Sequence, residues 1–417
     1  HGEINPELGG SEALDRLAST LRARGMGIVL DTVPNHMAIT DVGNAWWMDV
    51  LENGPGSTYA PYFDIDWRPA TPELENKVLL PFLEDQYGNV LENGTLRVAY
   101  EDGTFFLYYH EMRLPLAPGT YTALLGHQLE SLLARLGDDH EHVQELQSIL
   151  TALSYLPDRT ETAPERVAER NREKEVIKRR IAALYNASPE IRAAIDAAVH
   201  AFNGTVGDPE SFHLLDALLD QQAYRLAFWR VATDEINYRR FFDISHLAAI
   251  RVEIPEVFRD THDLIFRLVA EGKVTGLRID HPDGLWKPAS YFRQLQEAYL
   301  VKRVFDRLAP VEANGERPLE SVLQHPVATW LASRSQPSGA SRPSWPLYVV
   351  AEKILCEGEP LPEDWAIYGT TGYDFLNDLN GLFVDRRNRG SFDEIYSRFV
   401  GVRYNYRNLV NSAKKMI

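Results

Sequence analysis

One cysteine, Cys356, stands among 417 residues, so no disulfide can form within the chain. Covalent cross-links are thereby excluded as a source of stability, and the composition suits a reducing, cytoplasmic setting. Positive charge is scarce as well: 43 Lys and Arg face 60 Asp and Glu, for a net charge of -17. Nucleic acid is a disfavoured partner, since binding it takes clustered cations that displace counterions. A neutral ligand such as a sugar is compatible with this charge. No apolar run approaches the roughly 20 residues of a membrane span, and no signal-peptide pattern opens the chain, so no membrane partner is expected. What the chain does have is 44% hydrophobic residues, enough for a large core spread over two or three domains.

The segment order is α/β at both ends and something else between. Ser11 is placed to cap a helix running to Arg24, with Leu14, Leu17, Ala18 and Leu21 on one face. Gly27 to Asp31 follows as a continuous apolar strand of parallel-sheet type, stopped by Pro34. From residue 38 to 250 the alternation is lost, which marks an inserted domain. Asn44 to Asp66 reads as a structured loop. Lys77 to Arg113 reads as a small β meander, with turns at 87–89, 92–94 and 101–103. Tyr121 to about Ala201 is helical and charged, and a further helix is expected over Ser211 to Trp229. Alternation resumes from 251, with helix 255–271, strand Val274 to Asp280, helix 288–306 and strand Leu347 to Glu352. A variable stretch, 309–346, intervenes. Residues 365–375 suggest one more strand, ahead of a helix over 377–383. The chain therefore divides at 1–37, 38–250 and 251–417. It reads as a fragment, because both ends fall inside an ordered pattern.

Strand side chains alternate, so Arg278 and Asp280 share one face of their strand and Leu277 and Ile279 the other. A guanidinium beside a carboxylate keeps the carboxylate ionised. Such a group is suited to be the nucleophile of a covalent glycosyl transfer, although a pair of this kind taken alone is more often a structural ion pair at a strand end. Two other polar clusters, Asp31 to His36 and Glu352, also close apolar strands. Active sites of β/α barrels are assembled at that end of the sheet, from several strands.

Taken together, Asp31-Thr-Val-Pro-Asn-His36, Gly276-Leu-Arg-Ile-Asp280 and Val349-Val-Ala-Glu352 resemble, in order, three conserved regions of the α-amylase superfamily, glycoside hydrolase family 13. The resemblance implies a partial (β/α)8 TIM barrel, about strands 3 to 6, carrying a large mixed, mostly helical inserted domain. It implies Asp280 as nucleophile, Glu352 as general acid/base and Arg278 as the cation that holds the nucleophile ionised. Asp31, Asn35 and His36 are implied as contacts to the sugar before the cleaved bond. A fourth region, a His-Asp pair on a seventh strand, is not found, and Asp378 and Asp385 lie in helix-like segments.

Further runs narrow the resemblance: Glu3 to Gly10, Tyr238 to Ile244, Gly276 to Leu285 and Gly369 to Phe375 are similar to a trehalose-forming branch of that superfamily. That branch implies an intramolecular transglycosylase. It would convert the reducing-end α-1,4 bond of a maltooligosaccharide into an α,α-1,1 linkage, and a trehalose-releasing hydrolase is its implied functional partner. His281, Tyr373 and Asp374 join the substrate-binding set, the last two as a loop walling a closed glucose pocket. No cofactor or metal is implied. An α-glucan hydrolase, an intermolecular 4-α-glucanotransferase and a non-catalytic glucan-binding fragment stay open as alternatives. Asp138 to His142 reads as a solvated loop, Lys174 to Arg180 as an exposed helix face and Cys356 as a packed thiol. Trp46, Trp47 and Trp67 suit sugar stacking and core packing about equally.

Overall fold

The computed structural model describes residues 2–40, 43–308, 325–332, 344–356 and 358–416. Most of the variable stretch 309–346 therefore lies outside the described residues. Twelve strands lie among the described residues: β1 (Val29–Thr32), β2 (His36–Ala38), β3 (Val78–Leu83), β4 (Leu96–Glu101), β5 (Thr104–Tyr109), β6 (Met112–Pro115), β7 (Tyr224–Phe228), β8 (Arg240–Phe241), β9 (Ile244–Ala249), β10 (Gly276–Ile279), β11 (Tyr348–Ala351) and β12 (Gly369–Thr370).

Four of them, β1, β10, β11 and β12, form an all-parallel sheet in that order. Leu277, Ile279, Val349 and Ala351 project from its covered face and are fully buried, in a core shared with Val257, Phe258, Phe292 and Leu295. The helices Pro255–Ala270 and Pro288–Leu308 supply those partners, as the 3.6-residue period of their apolar positions requires. Gln296 fastens the second helix to the sheet: its Nε2 donates to the carbonyls of Leu347 and Ala366, both at 3.0 Å, and its Oε1 accepts from Leu347 N–H. Val29, Asp31, Arg278 and Tyr348 stand on the opposite face, which is open.

The segment between β1 and β10 leaves and returns side by side. β2 pairs antiparallel with β9, His36 opposite Ala249, and β8 completes a three-stranded sheet. Within the segment, β4, β5 and β6 form the expected antiparallel meander. The long helix Pro164–Ala187 packs beside Glu141–Ser154 and Pro189–Phe202.

Several local expectations give way. The first helix starts at Gly10 rather than after Ser11, because Gly9, at φ 96°, both ends the turn Pro6–Leu8 and begins the helix. A left-handed φ of this kind favours glycine. Asn44 to Asp66 is no loop throughout. Asn44 accepts from Trp47 N–H and caps a helix, Ala45–Asn53, that buries Trp47, Val50 and Leu51. The turn expected at 87–89 is instead the start of a helix, Tyr87–Glu92, whereas the one expected at 92–94 is present at that helix's end. The helix expected over 211–229 stops at Asp220, and Tyr224–Phe228 is instead a strand, pairing in parallel with β3. Leu-rich spacing hid the change of period there, since Tyr224 and Leu226 are buried while Arg225 points out. No helix among the described residues is long and apolar enough to cross a membrane.

Candidate active site

The site is built by register. Asp31 lies opposite Arg278 on β1 and β10, and the strands end one residue later at Thr32, Ile279 and Ala351. Just beyond, Asp280 N–H donates to Thr32 O at 2.9 Å and Glu352 N–H to Ile279 O at 2.8 Å. Asp280 and Glu352 thus leave adjacent parallel strands at the same level, 72 residues apart in sequence but one hydrogen-bonding step apart in space.

Arg278 joins the cluster. Its Nη1 donates to Asp31 Oδ1 at 2.8 Å and Asp280 Oδ1 at 2.7 Å, and its Nη2 lies 3.7 Å from Glu352 Oε2. Burial works against the guanidinium's charge, but the bonds to Asp31 and Asp280 outweigh it and raise its pKa further. One cation among these acids leaves the cluster net negative. The carboxylates of Asp280 and Glu352 keep 21% and 22% of their side-chain surface exposed, so each retains oxygen surface for a ligand.

Glu352 is oriented by a turn. His281 adopts the left-handed conformation (φ 43°), rare for a residue with a Cβ. Its N–H donates to Glu352 Oε2 at 3.0 Å. Tyr373 Oη stands 3.5 Å from Glu352 Oε1. Lys353 bridges the loops beside it, with Nζ 3.1 Å from Asp283 and 2.9 Å from Glu359.

His36 lies against Phe241, ring centroids 4.0 Å apart and stacked, and Phe241 in turn meets the His281 ring edge-on at 5.1 Å. Burial lowers the His36 pKa, with Asp280 pulling upward and His281 adding to the depression. His36 Nδ1 and Thr32 Oγ1 are buried without a protein partner.

Of the residues singled out in the sequence, Asp31, Arg278, Asp280, His281, Glu352 and Tyr373 come together here, and His36 adjoins them. Asn35 is buried, at 3% exposure, with Oδ1 accepting from Arg239 Nη1 at 3.2 Å. Asp374 turns away: its carboxylate accepts from Thr370 Oγ1 at 2.5 Å. Tyr373 and Asp374 are not a loop but the first turn of the helix Tyr373–Gly381, with Gly372 as its cap. Asp378 lies in that same helix, and Asp385 caps the turn Arg386–Asn388. Cys356 is exposed rather than packed. Trp47 belongs to the core, and Trp46 packs against Tyr59 and Tyr62. Sequence reasoning missed Arg239, Phe241 and Lys353 as site neighbours. The aromatic run Phe241-Phe242 beside two arginines was the available signal for the first two; for Lys353 there was none.

A family model for the α-amylase catalytic domain matches residues 1–116. A protein of Mycobacterium tuberculosis named as a maltooligosyl trehalose synthase is 29% identical over 384 residues, which is 92% of this chain and 31% of that protein. The structure of maltooligosyltrehalose synthase from Arthrobacter ramosus superposes with a TM-score of 0.59 at 28% identity, covering 100% of this chain and 36% of that one. An intracellular maltogenic amylase of Bacillus subtilis is 41% identical over 70 residues, 16% of this chain and 11% of that protein. The chain therefore spans about a third of the length of the relatives it matches most fully. The fold is α/β of the TIM-barrel kind. Along nearly its whole length this chain is similar to maltooligosyltrehalose synthases, and over residues 1–116 to the α-amylase catalytic domain.

Proposed function

We propose that this chain supplies the nucleophile and the acid/base of an intramolecular transglycosylase that isomerises the reducing end of maltooligosaccharides to an α,α-1,1 (trehalose) linkage. The observation that carries the reading is the single guanidinium of Arg278, 2.7 Å from Asp280 and 3.7 Å from Glu352 at the ends of neighbouring parallel strands. Asp280, held by its cation, attacks the anomeric carbon of the residue before the terminal glucose. The glycosidic bond breaks as Glu352 delivers a proton to the departing oxygen. The glucose stays bound and turns. Its own anomeric hydroxyl then attacks the glycosyl-enzyme, losing its proton to Glu352, and Asp280 leaves as a carboxylate. Two displacements return the α configuration, and nothing is consumed. Water must be kept out, because it would intercept the covalent intermediate.

In this reading Asp31, His36, His281 and Tyr373 contact substrate, and Asn35 acts from behind them. The four parallel strands are strands 3 to 6 of an eight-stranded barrel, 38–250 is an inserted domain, and 1–37 and 251–417 are the barrel's parts. A trehalose-releasing hydrolase consumes the product, and the single cysteine fits a cytoplasmic setting. The match to a maltogenic amylase over 70 residues supports a second reading, hydrolysis of α-glucans. The full-length protein with maltopentaose separates them. Loss of reducing ends with formation of a non-reducing glycan is expected. New reducing ends would establish hydrolysis, and an unchanged substrate would overturn both.

A further inference from the structure

Arg239 comes from the turn into β8, outside the parallel sheet, and touches neither catalytic carboxylate. Its side chain nevertheless donates to four segments around them. Nε reaches Asp64 Oδ2 at 2.9 Å, Nη1 reaches Asn35 Oδ1 at 3.2 Å and Gly284 O at 3.3 Å, and Nη2 reaches Ile250 O at 3.4 Å. Arg239 N–H also donates to Asp64 O at 2.9 Å, which fixes the root of the side chain. Three of the side-chain bonds are long, so the brace works through the number and planarity of its donors rather than through one strong contact.

The Gly284 carbonyl is what connects this brace to the chemistry. His281 to Gly284 is a closed turn, with Gly284 N–H donating to His281 O at 3.1 Å. The opposite end of that turn presents His281 N–H to Glu352 Oε2. Asn35 packs directly on the turn: a Cβ added at Gly284 would lie 2.8 Å from the Asn35 amide and 2.5 Å from His281 Cδ2. Glycine here leaves room for the amide that Arg239 holds. Lys353 ties the turn from the other side through Asp283.

We propose that Arg239 is a positioning residue for the acid/base, setting the His281–Gly284 turn so that its N–H fixes the Glu352 carboxylate for proton delivery. The proposal rests on the acid/base role given to Glu352 above. It separates from a structural role because, in the first displacement, only a departure that needs a proton depends on Glu352. The test compares turnover of maltopentaose with single-turnover release of fluoride from an α-maltooligosyl fluoride, whose fluoride leaves unprotonated, on the full-length protein and its Arg239→Lys variant. Misplacement by about an ångström should cut turnover of maltopentaose about 100-fold while single-turnover release of fluoride slows less than about threefold. Lysine keeps the charge opposite Asp64 but lacks the fork, so it does not rescue. Equal losses on both substrates, or no loss on either, would overturn the proposal. If Arg239→Lys fails to fold, Gly284→Ala strikes the same turn from the Asn35 side and should show the same selective loss; equal losses there overturn it too. A wild-type protein inert to both substrates defeats the functional reading and the proposal together. Hydrolysis of maltopentaose sinks the trehalose-forming reading alone, and the two-substrate comparison still decides the role of Arg239.

Discussion

Two clusters in this molecule are built from the same kinds of group and differ in surroundings: one is the proposed active site, the other a closed ion-pair network. On the open face of the parallel sheet, Arg278 stands among Asp31, Asp280 and Glu352. In the segment before β10, Lys174 and Lys178 converge on Glu52, with Lys174 Nζ 2.6 Å from Glu52 Oε2, 3.3 Å from Asp49 and 3.2 Å from Asn53 Oδ1. The second cluster is closed: Lys174 and Glu52 expose 5% and 9% of their side chains. Both oxygens of Glu52 and of Asp49 are taken there, by Lys174, Lys178, Asn53 and Ser57. The first has more acid than cation and keeps exposed carboxylate surface. Charge excess together with access, rather than the presence of ion pairs, distinguishes a reactive cluster from a structural one.

The largest effects should therefore separate cleanly into activity at one cluster and stability at the other. In the full-length protein, Asp280→Asn is expected to abolish turnover of maltopentaose, and Glu352→Gln to lower it about 10²–10⁴-fold, the usual contribution of a general acid. Melting temperatures of both variants should stay within a few degrees of wild type. An Asp280→Asn protein that still forms the non-reducing product would remove Asp280 from the mechanism and leave Arg278–Asp280 as the structural pair its spacing also allowed.

At the closed cluster the order reverses. Lys174→Met strips the main partner from a buried carboxylate and should cost about 3–5 kcal/mol of stability. Turnover per folded molecule should be unchanged. Denaturant unfolding together with kcat measures both quantities. A large loss of kcat without loss of stability would mean that this cluster reaches the site after all, and the contrast would fail.

The two clusters also differ in how far the sequence revealed them. Arg278 and Asp280 are two residues apart on a strand, so their shared face follows from the backbone period alone. Glu352 is recognisable as the polar end of an apolar strand. That it sits level with Asp280 depends on strand register, which no local pattern encodes. Lys174 misled for the opposite reason. In a helix rich in Lys, Arg and Glu, periodicity assigns charge to solvent, and only the placement of the Ala45–Asn53 helix carries Glu52 to it. That helix was itself hidden within an aromatic and Pro-rich stretch. Arg239 and Asn35, 204 residues apart, were beyond reach for the same reason. Local chemistry is legible in a chain where neighbours in sequence share a face; braces between distant segments are not.

A smaller effect sharpens the contrast by pH. Burial disfavours the Glu52 charge, but Lys174 and Lys178 overcome it and hold the pKa below the ordinary 4.5. The stability this gives is present above that value and is lost as pH falls through the lowered pKa. His262 marks a different window. It is buried between the two helices behind the parallel sheet, its Nε2 2.8 Å from Tyr291 Oη and its Nδ1 2.9 Å from Phe258 O. Burial lowers its pKa from 6.5 to about 4. The folded state thus resists a proton that the unfolded chain accepts, so stability falls as pH drops from 6.5 toward 4, by about 3 kcal/mol in all. His262→Gln should remove that slope while leaving the loss at lower pH to which Glu52 contributes. Urea unfolding at half-unit steps between pH 7 and pH 3.5 reads both windows. If the variant keeps the wild-type slope above pH 4.5, the acid sensitivity of the scaffold arises elsewhere. A slope that vanishes would place it in the wall behind the parallel sheet, not in the open cluster that its strands present.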